Sequence, residues 1–475
     1  MKRKLFFVAL FVATILIICT LIGCGSQSET TIDPCADGHQ IVIDKGVAAT
    51  CAKGGISDGK FCGRCGLVIE EQVVIPMLDH KLVVKSGTEP TCTEDGITEG
   101  SQCYVCFKIF KEQEIVQKLG HVIEDHRCTR CDYCEFEDPT RYSSSYGYEY
   151  LGTLPKGKDL QQCYTMIDKA VRDFHFNTHI NLDLENENDT EAPLDYIYIT
   201  GLHLSVDDVH TVFILYRHDN PLYYWLTSSF FYYSSNDIVK YFWLLCEDDY
   251  ISGAEREKNN KLIYDAVEEY YSTVEGEGSP YLITLAYYNR IIESIDYAYE
   301  SDGVTPQDGL WAHSVIGVFD KRGAVCESYA KTLQLLLNFS GVENIYVTGD
   351  AGGAHAWNLV KLDDGKWYWC DPTWDDNPNE PDGITYDYFC MADKRFDDHI
   401  PNTPDDENIY DRLYPLPSRS PVSFSSNEVM EVGEIFTVDG STYLIKGYKS
   451  VVCTSYVSSE LPSKVTYKGI EYTVR

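Results

Sequence analysis

Three residues of the types used in nucleophilic catalysis follow one another in the second half of the chain. Cys326 stands in "GAVCESYA", His355 opens "HAWNLVKL" and Asp371 follows "GKWYWC". A thiol becomes a nucleophile when an imidazole takes its proton and a carboxylate holds that imidazole in the right tautomer. Any one of the three alone would be an ordinary structural residue. In this order they predict a Cys-His-Asp triad that attacks an amide carbonyl, with His355 as the base.

The surrounding pattern predicts one helix and two strands that would bring these side chains together. A helix is predicted from about Val325 to Phe339, so Cys326 lies in its first turn, where the helix dipole lowers a thiol's pKa. Its predicted buried stripe is Ala330, Leu333 and Leu337. Two strands joined by a hairpin at 363–365 carry His355 and Asp371. Adjacent antiparallel strands can hold the histidine beside the aspartate.

These segments, together with "WAHSVIGVF" (311–319), resemble the transglutaminase-like superfamily, relatives of papain-type cysteine peptidases. The resemblance implies a thioester acyl-enzyme on Cys326 that either water or an amine resolves, without a metal or organic cofactor for catalysis. It also implies two donors for the oxyanion, the Cys326 backbone N–H and an upstream group, for which Trp311 and His313 are candidates. Ser328 is a departure, because bacterial members often carry glycine there.

Cysteine and histidine also form an internal repeat between residues 35 and 134. One set recurs with a shift of 41 positions, and His121 continues the step. The set is His39, Cys51, Cys62 and Cys65, which returns as His80, Cys92, Cys103 and Cys106. The array closes with "HRCTRCDYC" (126–134). A fixed period of this length predicts small stacked units, each with short strands around a Cys-x-x-Cys turn.

Three cysteines and one histidine per repeat match the donor set of a closed tetrahedral zinc site. Disulfides are the alternative expected outside the cytoplasm, and free thiols are another, but three cysteines cannot all pair within one repeat. The sequence therefore favours structural zinc, which would stabilise units too small to fold unaided. The predicted ligands are His39, Cys51, Cys62, Cys65, His80, Cys92, Cys103, Cys106, His121, Cys128, Cys131 and Cys134. How the ligands group into sites, here called their phase, stays open. A site uses either His39 with the cysteines after it, or Cys51, Cys62 and Cys65 with His80.

The first residues predict export and a lipid anchor. A basic head (1–4) precedes an apolar run (5–22), as in a secretory signal peptide. The ending Leu21-Ile22-Gly23-Cys24 resembles a bacterial lipobox, which implies cleavage before Cys24 and a lipid on its thiol. An uncleaved membrane anchor is the alternative. Either one places the remainder at the cell surface, on the outer face of a bacterial cytoplasmic membrane.

Composition limits the partners. A chain of 475 residues, 44% of them hydrophobic, predicts more than one domain. Its 74 acidic and 39 basic residues give a formal charge of −35, which argues against nucleic-acid binding through a basic face. The expected partners are a protein or peptide substrate and the membrane through the anchor, while the oligomeric state stays open.

The predicted fold class is α+β, a transglutaminase-like (papain-like) core with small N-terminal β repeats and a C-terminal β appendage. The stretch "TVFILY" (211–216) is predicted to be a strand, and the hairpins at Asp439-Gly440 and Lys468-Gly469 belong to the appendage. The predicted order is signal peptide 1–23, tether 24–34, Cys/His repeats 35–138, accessory region 140–255, transglutaminase-like domain 256–400 and β module 421–475.

Two functions fit these patterns. The first is a membrane-anchored cysteine peptidase or acyltransferase, which the intact triad favours. The second is a non-catalytic surface protein for binding or adhesion that displays zinc-stabilised repeats.

Overall fold

The computed structural model describes residues 34–184, 189–380, 383–393, 396–406, 408, 411–425, 431–457 and 461–475. The predicted signal peptide, Cys24 and nearly all of the tether lie outside these residues. Within them, no helix combines the length and apolar character needed to cross a membrane. The chain divides into two compact units, residues 1–121, here called the repeat unit, and residues 122–475, here called the main unit.

The repeat unit contains the same set of short strands twice, 41 positions apart. Its strands are Ile41–Asp44, Gly55–Ile56, Gly59–Cys62, Val68–Glu70, Val74–Ile75, Leu82–Lys85, Gly96–Ile97, Gly100–Cys103, Ile109–Lys111 and Ile115–Val116. In each repeat three of them form an antiparallel sheet, whose middle strand ends at the first cysteine of the Cys-x-x-Cys turn. Glycine is required at Gly55 and Gly96, because a Cβ there would lie 2.3 Å from the Val47 carbonyl oxygen and 2.5 Å from that of Thr88.

This unit buries almost no aliphatic side chains. In its described part the buried hydrophobic residues are Cys35, Cys51, Cys62, Cys92 and Cys103. Valines and isoleucines of the strands, such as Ile41 and Val68, are exposed. Without an aliphatic core, a fold this small needs cross-links or metal ions.

The main unit is a mixture of helices and strands around one large hydrophobic core, as the predicted α+β class requires. Its helices are Tyr146–Thr153, Gly157–Phe176, Val206–Asp219, Gly253–Ser272, Pro280–Ser294, Cys326–Phe339 and Pro372–Asp375. Its strands are Ile123–Glu124, Arg127–Cys128, Glu191–Pro193, Ile197–Tyr198, Leu226–Ser235, Ile238–Glu247, Asp296–Tyr297, Gly323–Ala324, Asn344–Asp350, Ala354–Lys361, Trp367–Cys370, Ile400–Pro401, Ile435–Val438, Ser441–Gly447, Ser450–Ser455, Lys464–Tyr467 and Ile470–Val474.

One four-stranded antiparallel sheet positions the candidate site. Its order is Trp367–Cys370, Ala354–Lys361, Asn344–Asp350 and Ile400–Pro401. The helix Cys326–Phe339, here called the cysteine helix, packs against the strand Ala354–Lys361, here called the histidine strand. The predicted stripe of Ala330, Leu333 and Leu337 is fully buried. The predicted hairpin at 363–365 is present, with Gly365 at φ +75°.

One prediction about the main unit is wrong. The stretch 211–216 is helical, because Ser205 accepts the Asp208 backbone N–H and the Asp208 carboxylate accepts that of Ser205, a capping box that starts the helix. The division between the two units falls after His121, and Phe136 stacks on Phe339 of the cysteine helix, with 5.0 Å between ring centroids. The end of the repeats at residue 138 stays a prediction.

The C-terminal residues form a five-stranded sheet with a small core that includes Phe436, Tyr443 and Tyr472. Both predicted hairpins are present, pairing Val438 with Ser441 and Tyr467 with Ile470.

Candidate active site and metal clusters

Cys326 is the first residue of the cysteine helix, directly after the N-cap residue Val325. Its side chain is partly buried against Ala330, Tyr346 and Ala356. The thiol therefore lies at the N-terminal, positive end of a helix dipole. It also lines an open cleft of about 410 Å³.

His355 is the second residue of the histidine strand and connects Cys326 to Asp371. Its Nε2 lies 2.7 Å from Asp371 Oδ2, and its ring also hydrogen-bonds to the Cys326 thiol. Burial alone would lower the pKa of His355, but the hydrogen bonds to Asp371 and Cys326 outweigh it and raise that pKa to about 10. The structure thus brings the three predicted residues together in the order thiol, imidazole, carboxylate.

Asp371 is completely buried, and both of its oxygens have partners. Oδ1 accepts the backbone N–H groups of Thr373 (2.9 Å) and Trp374 (3.4 Å), so the carboxylate caps the helix that follows it. Oδ2 faces His355 and also His399 Nε2, at 3.1 Å. Burial would raise the pKa of Asp371, but the bonds from the two imidazoles lower it overall. Sequence reasoning missed His399, which no spacing or motif connects to the triad.

The two candidates for the second oxyanion donor have other contacts. His313 Nδ1 lies 2.9 Å from Glu327 Oε2 and its Nε2 lies 3.1 Å from the Gln307 carbonyl oxygen, so both ring nitrogens already have partners, and its role as a donor stays a prediction. Trp311 packs, half-buried, against the core.

Tyr297 instead lies beside the expected oxyanion position. The strand Asp296–Tyr297 runs parallel to Gly323–Ala324, which leads into Cys326. The Tyr297 hydroxyl accepts the Cys326 backbone N–H, and burial raises the pKa of Tyr297 to about 12. A neutral phenol at this place can donate to an oxyanion.

The first turns of the cysteine helix are held by buried polar contacts. Glu327 forms an ion pair with Lys331 (2.6 Å), and its other carboxylate oxygen lies 2.9 Å from His313 Nδ1. Burial would raise the pKa of Glu327, but these two partners hold it well below its usual range. Ser328 is fully buried and donates to the Ser314 carbonyl oxygen, so the serine found in place of glycine is accommodated.

The repeat unit contains two clusters of ligand-type side chains, and each could hold a metal ion. The first consists of Cys35, His39, Cys62 and Cys65, and the second of Cys51, His80, Cys103 and Cys106. Within each cluster all ligand atoms lie within 4.8 Å of one another. The sulfur–sulfur distances are 3.3 Å for Cys35–Cys62 and 3.8 Å for Cys51–Cys103. The sulfur–nitrogen distances are 3.5 Å for Cys65–His39 and 3.4 Å for Cys106–His80.

Neither predicted phase of the ligands occurs. Cys51 joins the histidine and the Cys-x-x-Cys pair of the following repeat, because the Leu78 N–H donates to the Thr50 carbonyl and holds the segment before His80 beside Cys51. Cys35, which was not among the predicted ligands, fills the same role in the first cluster. The available signal was that Cys35 has no counterpart 41 positions later, where Pro76 stands.

The remaining predicted ligands lie outside these two clusters. Cys134 is buried in the hydrophobic core of the main unit. Among the described residues, it belongs to no cluster of side chains that could hold a metal ion. Cys92 and His121 belong to the repeat unit, whereas Cys128 and Cys131 belong to the main unit. A metal-binding role for these four stays a prediction.

Comparison with known proteins gives a family match for one segment of the chain. The model of the transglutaminase-like superfamily matches residues 269–372. No curated protein matches the chain.

Solved structures overlap with only part of the chain. A TGase is 17% identical over 32% of this chain and 46% of its own, with a TM-score of 0.22. The periplasmic domain of TgpA from Pseudomonas aeruginosa is 19% identical over 30% of this chain and 59% of its own, with a TM-score of 0.20. A candidate cysteine protease from Cytophaga hutchinsonii is 14% identical over 41% and 70%, with a TM-score of 0.19. The chain thus spans about half the length of the first two, and such small overlaps carry no conclusion about activity.

The family assignment therefore depends on the superfamily model together with the site, since the matched segment includes Cys326, His355 and Asp371. Residues 269–372 form a domain of the transglutaminase-like superfamily.

Proposed function

We propose that the protein is a cysteine hydrolase or acyltransferase that acts on amide bonds of proteins or peptides outside the cytoplasm. The observation that carries the proposal is the hydrogen-bonded series Cys326, His355 and Asp371 at the edge of an open cleft. Membrane anchoring through Cys24 is a further part of the proposal, supported by the lipobox-like sequence alone.

The first half of the reaction forms a thioester. His355 takes the proton of the Cys326 thiol, and the thiolate attacks the amide carbonyl carbon. The Cys326 backbone N–H, which donates to the Tyr297 hydroxyl before substrate binds, turns to the oxyanion, and the freed Tyr297 O–H is the second donor. The C–N bond then breaks as the His355 imidazolium gives its proton to the leaving amine.

The second half releases the acyl group. Water or a primary amine attacks the thioester while His355 takes its proton. The C–S bond breaks, the thiolate returns, and the product is a carboxylic acid or a new amide. Asp371 keeps the imidazole in one orientation through both halves.

Turnover by a Cys326→Ala variant tests this function. Purified protein is incubated with a peptide library, with and without a fluorescent primary amine, and both cleavage and amine incorporation are measured. We expect activity in the wild type and in Cys453→Ala, a half-exposed cysteine of the C-terminal sheet, and none in Cys326→Ala. The free energy of unfolding of Cys326→Ala should stay within about 1 kcal/mol of the wild type. Equal activity in Cys326→Ala would contradict the proposal.

We also propose that the two thiol clusters of the repeat unit hold structural zinc. Tetrahedral zinc with sulfur ligands at about 2.3 Å places the sulfurs about 3.8 Å apart and a sulfur about 3.5 Å from a nitrogen ligand. The observed separations of 3.3–3.8 Å fall close to these values. Three thiols converge on one imidazole in each cluster, and such a set cannot be used up by disulfides within the cluster.

A further inference from the structure

We propose that His399, held by Asp398, is a positioning residue that shares Asp371 with His355 and limits how strongly Asp371 stabilises the His355 imidazolium. This inference rests on the proposed function, since it concerns the same triad. It adds a second histidine–carboxylate pair behind the first.

The geometry is a continuous series of hydrogen bonds. His399 Nε2 lies 3.1 Å from Asp371 Oδ2, the same oxygen that His355 approaches at 2.7 Å. His399 Nδ1 lies 2.7 Å from Asp398 Oδ1, and the Tyr388 hydroxyl donates to Asp398 Oδ2 at 2.8 Å. The series therefore runs from Tyr388 through Asp398, His399 and Asp371 to His355.

His399 is enclosed, so its position is fixed by packing as well as by these bonds. Its side chain has no exposed surface. Its ring centroid lies 4.0 Å from that of Phe396, 4.5 Å from that of Trp374 and 4.9 Å from that of Trp357. The buried ring has no water-facing side through which its charge could be screened.

The hydrogen-bonding partners of His399 indicate the charge on its ring. A neutral imidazole donates at one nitrogen and accepts at the other, whereas both nitrogens of His399 face carboxylate oxygens. Only the imidazolium can donate at both. The pKa values of Asp371 and Asp398 are both lowered, since burial, which would raise them, is outweighed by hydrogen bonds that include those from His399. Two carboxylates thus flank one buried cation.

The consequence for His355 follows from the signs of the charges. A cation at His399 lies beside the same oxygen as the His355 imidazolium, and like charges disfavour each other. His399 therefore offsets part of the stabilisation that Asp371 gives to protonated His355. Without it, His355 would hold its proton to higher pH and would release it less readily to the leaving amine.

The described groups that face this pair are few. Asp371, Asp398, His355 and Tyr388 contact His399 directly. Further groups that interact electrostatically with Asp371 or His355 are Cys326, Tyr288, Tyr297 and Asp375. Among these groups, the cations in contact with Asp371 are His355 and His399. Removal of the His399 charge should therefore cause most of any change in the pH at which His355 loses its proton.

The test uses alkylation of Cys326 by iodoacetamide, which needs no substrate. Short pulses from pH 4 to pH 12 are followed by mass spectrometry of the tryptic peptide 323–331, which contains Cys326 as its single cysteine. For a thiolate–imidazolium pair, the alkylation rate changes at two pH values. The lower step occurs where the thiolate forms, and the upper step occurs where His355 loses its proton. We expect the upper step of His399→Gln, which keeps an N–H donor but removes the charge, to lie about one pH unit above that of the wild type.

Asp398→Asn is the second variant, because Asp398 is 42% exposed and its replacement puts folding at less risk. It removes the charge from the group that His399 Nδ1 faces, while the direct field of an exposed carboxylate at His355 is screened by water. Its upper step should move in the same direction as that of His399→Gln, by less. If His399→Gln does not fold, this variant decides.

His126→Gln is the matched control. His126 is also held between two carboxylates of the main unit, Glu135 at 3.0 Å and Glu275 at 3.2 Å, but its ring packs on Phe136 and Tyr271 rather than on the triad. It should leave both steps unchanged. An unchanged or lowered upper step in folded His399→Gln or Asp398→Asn, or an equal shift in His126→Gln, overturns this inference alone. A wild-type Cys326 that reacts in one step, like an ordinary thiol, overturns the proposed function as well.

Discussion

Asp371 is the residue on which the candidate site depends most. It orients His355 through Oδ2 and starts the helix Pro372–Asp375 through Oδ1, so one buried carboxylate fixes both the imidazole and the backbone beside it. Asn at this position can still accept the backbone N–H groups. It can also donate to His355, however, which favours the wrong tautomer.

Asp371→Asn should therefore keep the fold and lower kcat on the order of 10⁴-fold. Initial rates on the best substrate of the peptide library would measure this. Asp364→Asn, in the hairpin between the same two strands, is the control and should keep full activity. Activity near that of the wild type in folded Asp371→Asn would remove Asp371 from the mechanism.

The pH dependence of turnover reports His355. Its pKa is raised to about 10, so the imidazolium persists well above the pH at which an ordinary histidine is neutral. As the pH rises through that value, the acid that protonates the leaving amine is lost. The kcat/KM of amide cleavage should thus fall on an alkaline limb centred near pH 10, and a limb near pH 6.5 would contradict the ion pair.

At the scale of single residues, the sequence predicts the site residues that lie in local motifs. It misses the residues that reach the site only through the fold. Cys326, His355 and Asp371 each stand at the start or end of a recognisable helix or strand. His399 reaches Asp371 across 28 positions without any periodic signal. His313 precedes the cysteine in the chain, but chain position alone does not reveal that Glu327 and the Gln307 carbonyl hydrogen-bond to its ring.

At the scale of elements, turn and cap chemistry predicted more reliably than apolar runs. The hairpins at 363–365, 439–440 and 468–469 follow from glycines at positive φ. The run 211–216 is rich in β-branched and aromatic residues and was assigned to a strand. Its burial on several sides of the helix Val206–Asp219 explains the run, and the capping box at Ser205 was the stronger signal.

That cap gives a stability prediction. Ser205→Ala should lower the free energy of unfolding by about 1 kcal/mol, because the Asp208 N–H loses its acceptor. Ser252→Ala is the control, since Ser252 is the N-cap of Gly253–Ser272 but makes no side-chain bond to it. Denaturant unfolding of both variants measures the difference, and equal losses would show that the cap contributes nothing.

At the scale of the whole molecule, the two units are stabilised in different ways. The main unit has a large apolar core, and its candidate site combines a thiol, an imidazole and a carboxylate. The repeat unit buries cysteines and exposes its aliphatic strands. Loss of metal should consequently affect one unit and leave the other folded, because ligand binding there supplies folding free energy.

The purified protein should contain at least two zinc ions per chain, measured by elemental analysis. Excess chelator should remove them and unfold the repeat unit, seen as proteolysis confined to residues before 122, while cleavage of the peptide substrate continues. Mild reductant should have no effect, because no disulfide is required. Absence of zinc together with mass-spectrometric evidence of linked cysteines would replace the metal sites by disulfides.

The pairing of the clusters across repeats can be tested separately. Cys51→Ser should release one zinc and make Cys103 and Cys106 reactive toward iodoacetamide while Cys62 and Cys65 stay protected, because Cys51 shares its cluster with the following repeat. Cys35→Ser should give the opposite pattern. Cys453→Ser, outside the repeat unit, should change neither. If Cys51→Ser exposed Cys62 and Cys65 instead, each site would lie within one repeat, and the observed convergence of Cys51 with His80 would not describe the metal-bound protein.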